Sequence, residues 1–196
     1  MLNRRALCLL LPSIAVAQDD AVAAIQQRLK TAPVLRGGFE QEKTLSGFAQ
    51  PLKSQGDYLL LRGKGVIWRT RLPFASQLVV TREAIQQDGG FRLDAQQEPS
   101  VRLINALMLA MLDGDIAALQ SQFQVQAQLL GQQGWRAQAT PKSAALAKLF
   151  TRIELEGDTQ LRRLRLLEPA GDQISIRFDE QRREPAPSAD EAKLLA

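Results

Sequence analysis

The residue types that usually carry chemistry are nearly absent from this chain. It has no histidine and one cysteine in 196 residues, which removes Ser-His-Asp triads and histidine-based metal sites. Glu154 and Glu156 form a carboxylate pair, but at i, i+2 among arginines they read as the solvated face of a strand. Nothing around them suggests the apolar pocket that would raise one carboxyl for acid catalysis. Arg162, Arg163 and Arg165 in "LRRLRLLE" make a local cationic cluster of the kind a solvated strand carries. "GGF" at Gly37–Phe39 and "RGKG" at Arg62–Gly65 lack phosphate-loop spacing. No catalytic constellation and no cofactor motif is left. The chemistry that remains is that of apolar surface. "SQFQVQAQLLG" (Ser121–Gly131) sets Gln122, Gln124, Gln126 and Gln128 against Phe123, Val125, Ala127 and Leu129. One face of that strand is amide and the other apolar. The apolar face covers either a filled core or a cavity, and periodicity alone does not separate the two.

Any such face needs a domain to hold it. At 196 residues, with 45% hydrophobic and 23% charged residues, the chain fits one globular domain with a sizeable core. Its N-terminus stands apart. "MLNRRALCLLLPSIAVAQ" has Arg4 and Arg5, a short apolar run, and Ala15-Val16-Ala17, an A-x-A cleavage pattern. This predicts an export signal over residues 1–17, cut after Ala17, and a periplasmic mature protein; the paired arginines leave the twin-arginine route open. Cys8 lies inside the leader, so the mature chain carries no thiol. Cleavage removes two arginines and no acid, lowering the net charge from +4 to +2. That balance argues against a nucleic-acid partner.

The elements follow from pattern. "DDAVAAIQQRLKTAP" predicts a helix with Val22, Ile25 and Leu29 on one stripe, stopped by Pro33. Period two then takes over: Leu35, Phe39, Gln41 and Lys43 oppose Arg36, Glu40 and Glu42; Tyr58 and Leu60 oppose Leu59 and Leu61; Val66 and Trp68 oppose Ile67 and Arg69. "SQLVVTRE" adds a strand. Strands this close, with short turns such as Gly63-Lys64-Gly65, predict an antiparallel meander. "EPSVRLINALMLAMLDGD" interrupts it with a helix from Val101 to Leu112, apolar nearly all round, which must be covered on every side. Short helices at "DIAALQ" and "SAALAKLF" and strands ending at "DQISIRFDE" complete the domain, residues 18–184. Residues 185–196 form a Pro/Ala-rich tail.

The run "GGFEQEKTLSGFAQPLKSQGDYLLLRGKGVIWRTRLPFASQLVVTRE" resembles the LolA family of periplasmic outer-membrane lipoprotein carriers. The resemblance rests on Phe39 with Gln41, on Gly56-Asp57-Tyr58 running to Arg62, and on Trp68. It implies a mainly β (α+β) fold: an incomplete antiparallel β-barrel closed by a lid of short helices. Phe39, Tyr58, Leu60, Val66, Trp68, Phe123 and Val125 would line the lipid cavity, and Leu103, Leu107, Met108 and Met111 would belong to the lid helix. Arg62 aligns with the family's latch arginine, which holds lid backbone carbonyls. Gly63 stands where the family usually has proline, and Val66 where it typically has an aromatic, as expected of a divergent relative. The resemblance further implies a non-catalytic monomer that takes an acyl chain of a lipoprotein or other lipid cargo from an inner-membrane exporter toward an outer-membrane acceptor. The competing expectation is a structural or interaction module of an envelope complex with a closed, filled core.

Overall fold

The computed structural model describes residues 14–29, 32–97 and 99–196. The expected leader therefore lies outside the described residues, Cys8 with it, except for residues 14–17. These open α1 (Ile14–Arg28), which runs unbroken past Ala17. Val22, Ile25 and, just beyond the helix end, Leu29 are the buried stripe, and the helix rests on the strand that begins at Phe123.

Six strands follow in a row: β1 (Val34–Thr44), β2 (Leu52–Leu61), β3 (Gly65–Leu72), β4 (Ser76–Thr81), β5 (Ala84–Gln87) and β6 (Phe91–Asp94). α2 (Pro99–Asp113) and the single turn α3 (Ile116–Leu119), capped by Asp115, come next. The chain then lays down β7 (Phe123–Leu130), β8 (Gly134–Pro141), the turn α4 (Ala144–Ala147), β9 (Arg152–Gly157), β10 (Leu161–Leu167) and β11 (Gln173–Glu184), and ends in α5 (Ala189–Leu194). The eleven strands form one antiparallel sheet in the order β6-β5-β4-β3-β2-β1-β11-β10-β9-β8-β7. Every pairing joins strands adjacent in the chain except β1 with β11. Among the described residues β6 and β7 are the two edges, so the sheet curls without closing: an open half-barrel, as the family resemblance implied.

Alternation sets the two faces. Leu35 and Phe39 of β1, Tyr58 and Leu60 of β2, Val66 of β3 and Val80 of β4 point inward. They meet Phe123 and Val125 of β7, Trp135 of β8, Ile153 and Leu155 of β9, Leu164 of β10 and Phe178 of β11 in one core. Outward, Arg136, Glu156 and Arg163 alternate in charge across β8, β9 and β10, and Glu154 sits between Arg152 and Arg165. The carboxylate pair, Arg163 and Arg165 thus belong to a ladder of mostly cross-strand pairs on the outer face, each worth about 0–1 kcal/mol.

Two irregularities shape the barrel. At Gly56 a Cβ would lie 1.8 Å from the Arg69 carbonyl oxygen, so only glycine lets β2 and β3 approach at the bulge there. Opposite Gly37, β11 carries an extra residue and Glu180 takes φ 46°, a bulge that bends the seam between β1 and β11.

The tail is not loose. A capping box formed by Ser188 and Glu191 starts α5, and the segment folds back over the convex face. Leu195 is buried there against Val34, Leu59, Ile67 and Val79. Glu191 makes a two-pronged ion pair with Arg36, at 2.6 and 2.7 Å, and lies 3.6 Å from Arg69. Hydrogen bonds from Arg36 hold the Glu191 carboxyl well below the usual carboxylate range.

Candidate binding cavity

α2 lies across the concave face without filling it. Between helix and sheet is a cavity of about 360 Å³. Val66, Trp68, Leu78 and Val80 form one wall, and Leu164, Leu166, Ile174 and Ile176 the other. Ile104, Leu107, Met108, Met111 and Leu112 of α2 form the roof, and Phe150, from the connection after α4, closes one side. Gln41 is the one polar residue among those that line it. An engineered cavity of roughly 150 Å³ takes up benzene, so this space accommodates on the order of a dozen carbons.

The mouth can be located from burial. Along β3 the lining passes from buried Val66 to half-buried Trp68; along β4, from Val80 to Leu78; along β10, from Leu164 to Leu166; along β11, from Ile176 to Ile174. The roof follows the same gradient, from Met111 and Leu112 to Met108 and Ile104. All of these lead toward the end that carries the β1–β2, β3–β4 and β10–β11 connections. The cavity opens there.

Aromatic rings brace the floor beside it. Phe39 stacks on Trp68 at 3.9 Å, and Tyr58 meets Phe178 edge-on at 5.4 Å. The Tyr58 hydroxyl accepts from Gln181 Nε2 at 2.8 Å, and Gln181 Oε1 accepts from Arg162 at 2.9 Å. Burial pushes the Tyr58 hydroxyl up to about 12, the Gln181 hydrogen bond opposing it, so it stays protonated. Arg162 is therefore tied into the bulge rather than spread with Arg163 and Arg165 on the outer face.

The residues expected at the site divide. Val66, Trp68, Leu107, Met108 and Met111 line the cavity. Phe39, Tyr58, Leu60, Phe123 and Val125 share the concave face, but neighbouring side chains cover them and they are packed core. Leu103 is half-buried against the core and is not part of the roof. Missing from the expectation were Leu78, Val80, Leu164 and Leu166, all recoverable from strand phase, and Phe150, which ends the expected helix "SAALAKLF" and lies beyond α4 in the structure.

Arg62 reaches the end of α2. Its Nη1 donates to the Asp113 carbonyl at 3.4 Å, and its Nε donates to the Ala32 carbonyl at 3.4 Å. Nη1 is also 3.1 Å from Asp113 Oδ1, an ion-pair distance without hydrogen-bond alignment. Burial pushes the Asp113 carboxyl up, and Arg62 pulls it part of the way back. On the same helix, Asn105 is fully buried and neither atom of its amide has a hydrogen-bond partner among the described residues.

Fold and cavity together define an open antiparallel half-barrel roofed by a helix over an apolar concave face. The chain belongs to the LolA family: the model described as "Outer membrane lipoprotein carrier protein LolA" matches residues 30–193. No curated protein matches its sequence. Among solved structures it is similar to a DUF1329 family protein from Desulfovibrio piger, at 9% identity and a TM-score of 0.51, over 92% of this chain and 98% of that one. It is also similar to the LolA superfamily protein NE2245 from Nitrosomonas europaea, at 8% identity and a TM-score of 0.47, over 91% and 97%. A third is the Pseudomonas aeruginosa MucA/MucB complex, at 17% identity and a TM-score of 0.46, over 89% of this chain and 60% of the matched chain. Among the described residues, no helix is long and apolar enough to cross a membrane.

Proposed function

We propose that this protein is a non-catalytic periplasmic carrier. It holds an acyl chain of a lipoprotein or other lipid in the cavity under α2 and passes it from an inner-membrane exporter toward an outer-membrane acceptor. One observation carries the reading: an apolar cavity of about 360 Å³, open at one end, remains between α2 and the sheet. Membership of a family described as lipoprotein carriers supports it, and so does the expected leader. A closed-core interaction module would have no use for such a space.

Energetics make the roof part of the mechanism. Burying a methylene yields about 0.8 kcal/mol, so a chain of roughly sixteen carbons gains on the order of 10 kcal/mol. A carrier that kept all of it would not unload. Such a chain exceeds the space below α2, so loading displaces Leu107, Met108, Met111 and Leu112 from the sheet. Net affinity becomes the difference between cargo burial and lid burial, which a partner shifts by binding one lid state better. Arg62 is the latch in this scheme. Its hydrogen bonds hold the C-terminus of α2 in the closed state and are released on loading.

Native mass spectrometry with lipid extraction, on protein purified from its own periplasm, tests the proposal. A near-stoichiometric acylated species is expected, and Leu166→Trp, which fills the half-open mouth, should remove it while leaving the fold intact. An empty protein that also rejects added lipids would return the concave face to plain core.

A further inference from the structure

The end of the barrel where the cavity opens also carries the five most exposed large apolar side chains among the described residues. Phe48 in the β1–β2 connection is 68% exposed, and Phe74 in the β3–β4 connection is 82% exposed. Leu52 opens β2, Leu72 closes β3 and Phe91 opens β6, all at this end and all exposed. A hydrophobic side chain exposed singly needs no explanation, whereas five gathered on three neighbouring connections mark a contact surface.

The charges on these connections are basic with one exception. Segments 45–53, 71–75 and 88–92 carry Lys53, Arg71 and Arg92, each next in sequence to an exposed apolar residue: Leu52, Leu72 and Phe91. Their one acid, Asp88, is occupied by the Gln77 N–H at 2.7 Å. Lys53 and Arg71 reach Glu42 and Asp57, and Arg92 reaches Asp94, but these cations are more than half exposed and such pairs are weak. The β10–β11 connection, which has no exposed large apolar residue, carries the acids Glu168 and Asp172 instead. Apolar tips with basic neighbours are therefore gathered on one half of the mouth. Beside it the β10–β11 connection brings acids, with Asp172 accepting from the Ser46 N–H at 2.8 Å, and the β8–β9 connection brings Lys142 and Lys148.

We propose that this half of the rim docks on an anionic phospholipid bilayer. The tips insert to the level of the headgroups and Lys53, Arg71 and Arg92 meet lipid phosphates, an arrangement in which apolar burial and each cation contribute independently. Protruding tips on separate connections suit a yielding surface better than a groove-shaped protein partner. Docked this way, the mouth faces the bilayer, so a chain could pass between cavity and membrane without crossing water. The docking does not depend on the carrier reading, because the rim would bind vesicles whether or not the cavity takes a lipid.

The test is co-sedimentation of the full chain with vesicles of phosphatidylcholine alone and of phosphatidylcholine mixed with phosphatidylglycerol. Binding to the mixed vesicles is expected, weaker with added salt and weaker again on the neutral ones. Phe48→Ser with Phe74→Ser should reduce it about tenfold, with an unchanged melting temperature because both rings are already in water. No binding to either vesicle, or a double variant that binds like the parent, overturns the proposal. Equal, salt-insensitive binding to both vesicle types overturns the anionic assignment.

Discussion

Arg62 and Asp113, on the β2–β3 turn and the last residue of α2, are joined twice: side chain to side chain at 3.1 Å and side chain to backbone carbonyl at 3.4 Å. The second contact satisfies one of the carbonyls that every helix leaves open at its C-terminus. Removing the guanidinium also strands a largely buried carboxylate. Arg62→Ala is expected to cost about 1–2 kcal/mol, reduced from the value for a fully buried pair because both groups keep some solvent contact. For a chain of this size that lowers the melting temperature by several degrees. Hydrogen exchange should then accelerate in α2 before the strands. Uniform acceleration would mean that Arg62 braces the whole fold and not the lid.

Asp113 itself works in the opposite direction. Its folded-state pKa is raised, chiefly by burial, with Arg62 opposing. A carboxyl raised in this way favours the native state below its unfolded pKa, and that contribution is lost as pH rises through the folded value. Asp113→Asn keeps the backbone carbonyl for Arg62 and removes the buried charge. At neutral pH the variant should be at least as stable as the parent in urea. Its advantage should shrink as pH falls toward about 4. A variant clearly weaker at neutral pH would show that the ion pair outweighs its desolvation.

Asn105 taxes the closed lid. A buried polar group without a partner costs about 1–3 kcal/mol, and both ends of this amide lack one among the described residues. Asn105→Leu should raise the melting temperature by a few degrees and, on the carrier reading, weaken binding of a fluorescent fatty acid several-fold, since cargo must then displace a more stable roof. A drop in stability would point to a partner for the amide in solution.

The tail gives the reverse pH sign from Asp113. Glu191 is held below the usual range by Arg36, so its contribution is present above the unfolded value of about 4.3 and disappears as pH falls through the lowered folded value. Glu191→Gln loses charge-assisted hydrogen bonds worth about 1.5–3 kcal/mol. Amide protection in α5 should collapse at neutral pH, and the difference from the parent should narrow in acid. Unchanged protection would mean that Leu195 and the capping box suffice to hold the segment.

The strand faces were legible because water on one side and core on the other impose period two, and residues from Phe39 to Phe178 obey it. β5 and β6 were not. "AIQQ" and "FRLD" are four residues each and too polar to show a period. The docking of the tail left a trace in β2, where Leu59 and Leu61 make the outward phase as apolar as the inward one; a covered outer face is the physical reason. Cavity against core was the harder distinction. Phe39 and Val66 share a face, and only the distance to α2, which no strand pattern encodes, decides that Val66 meets the cavity and Phe39 a neighbouring ring.

Val34 pairs with Leu61 on one side and with Glu184 on the other, and that asymmetry governs how the chain can fold. β1 to β6 form one ribbon and β7 to β11 a second, each assembled from hairpins whose partners are close in sequence and whose loop-closure cost is small. Only the register between β1 and β11 must be found across nearly the whole chain. Such non-local pairing slows folding, so the rate-limiting step is expected at the seam. There Gly37 and Glu180 must meet in the right register, and substitutions at them should slow refolding more than substitutions in any hairpin turn.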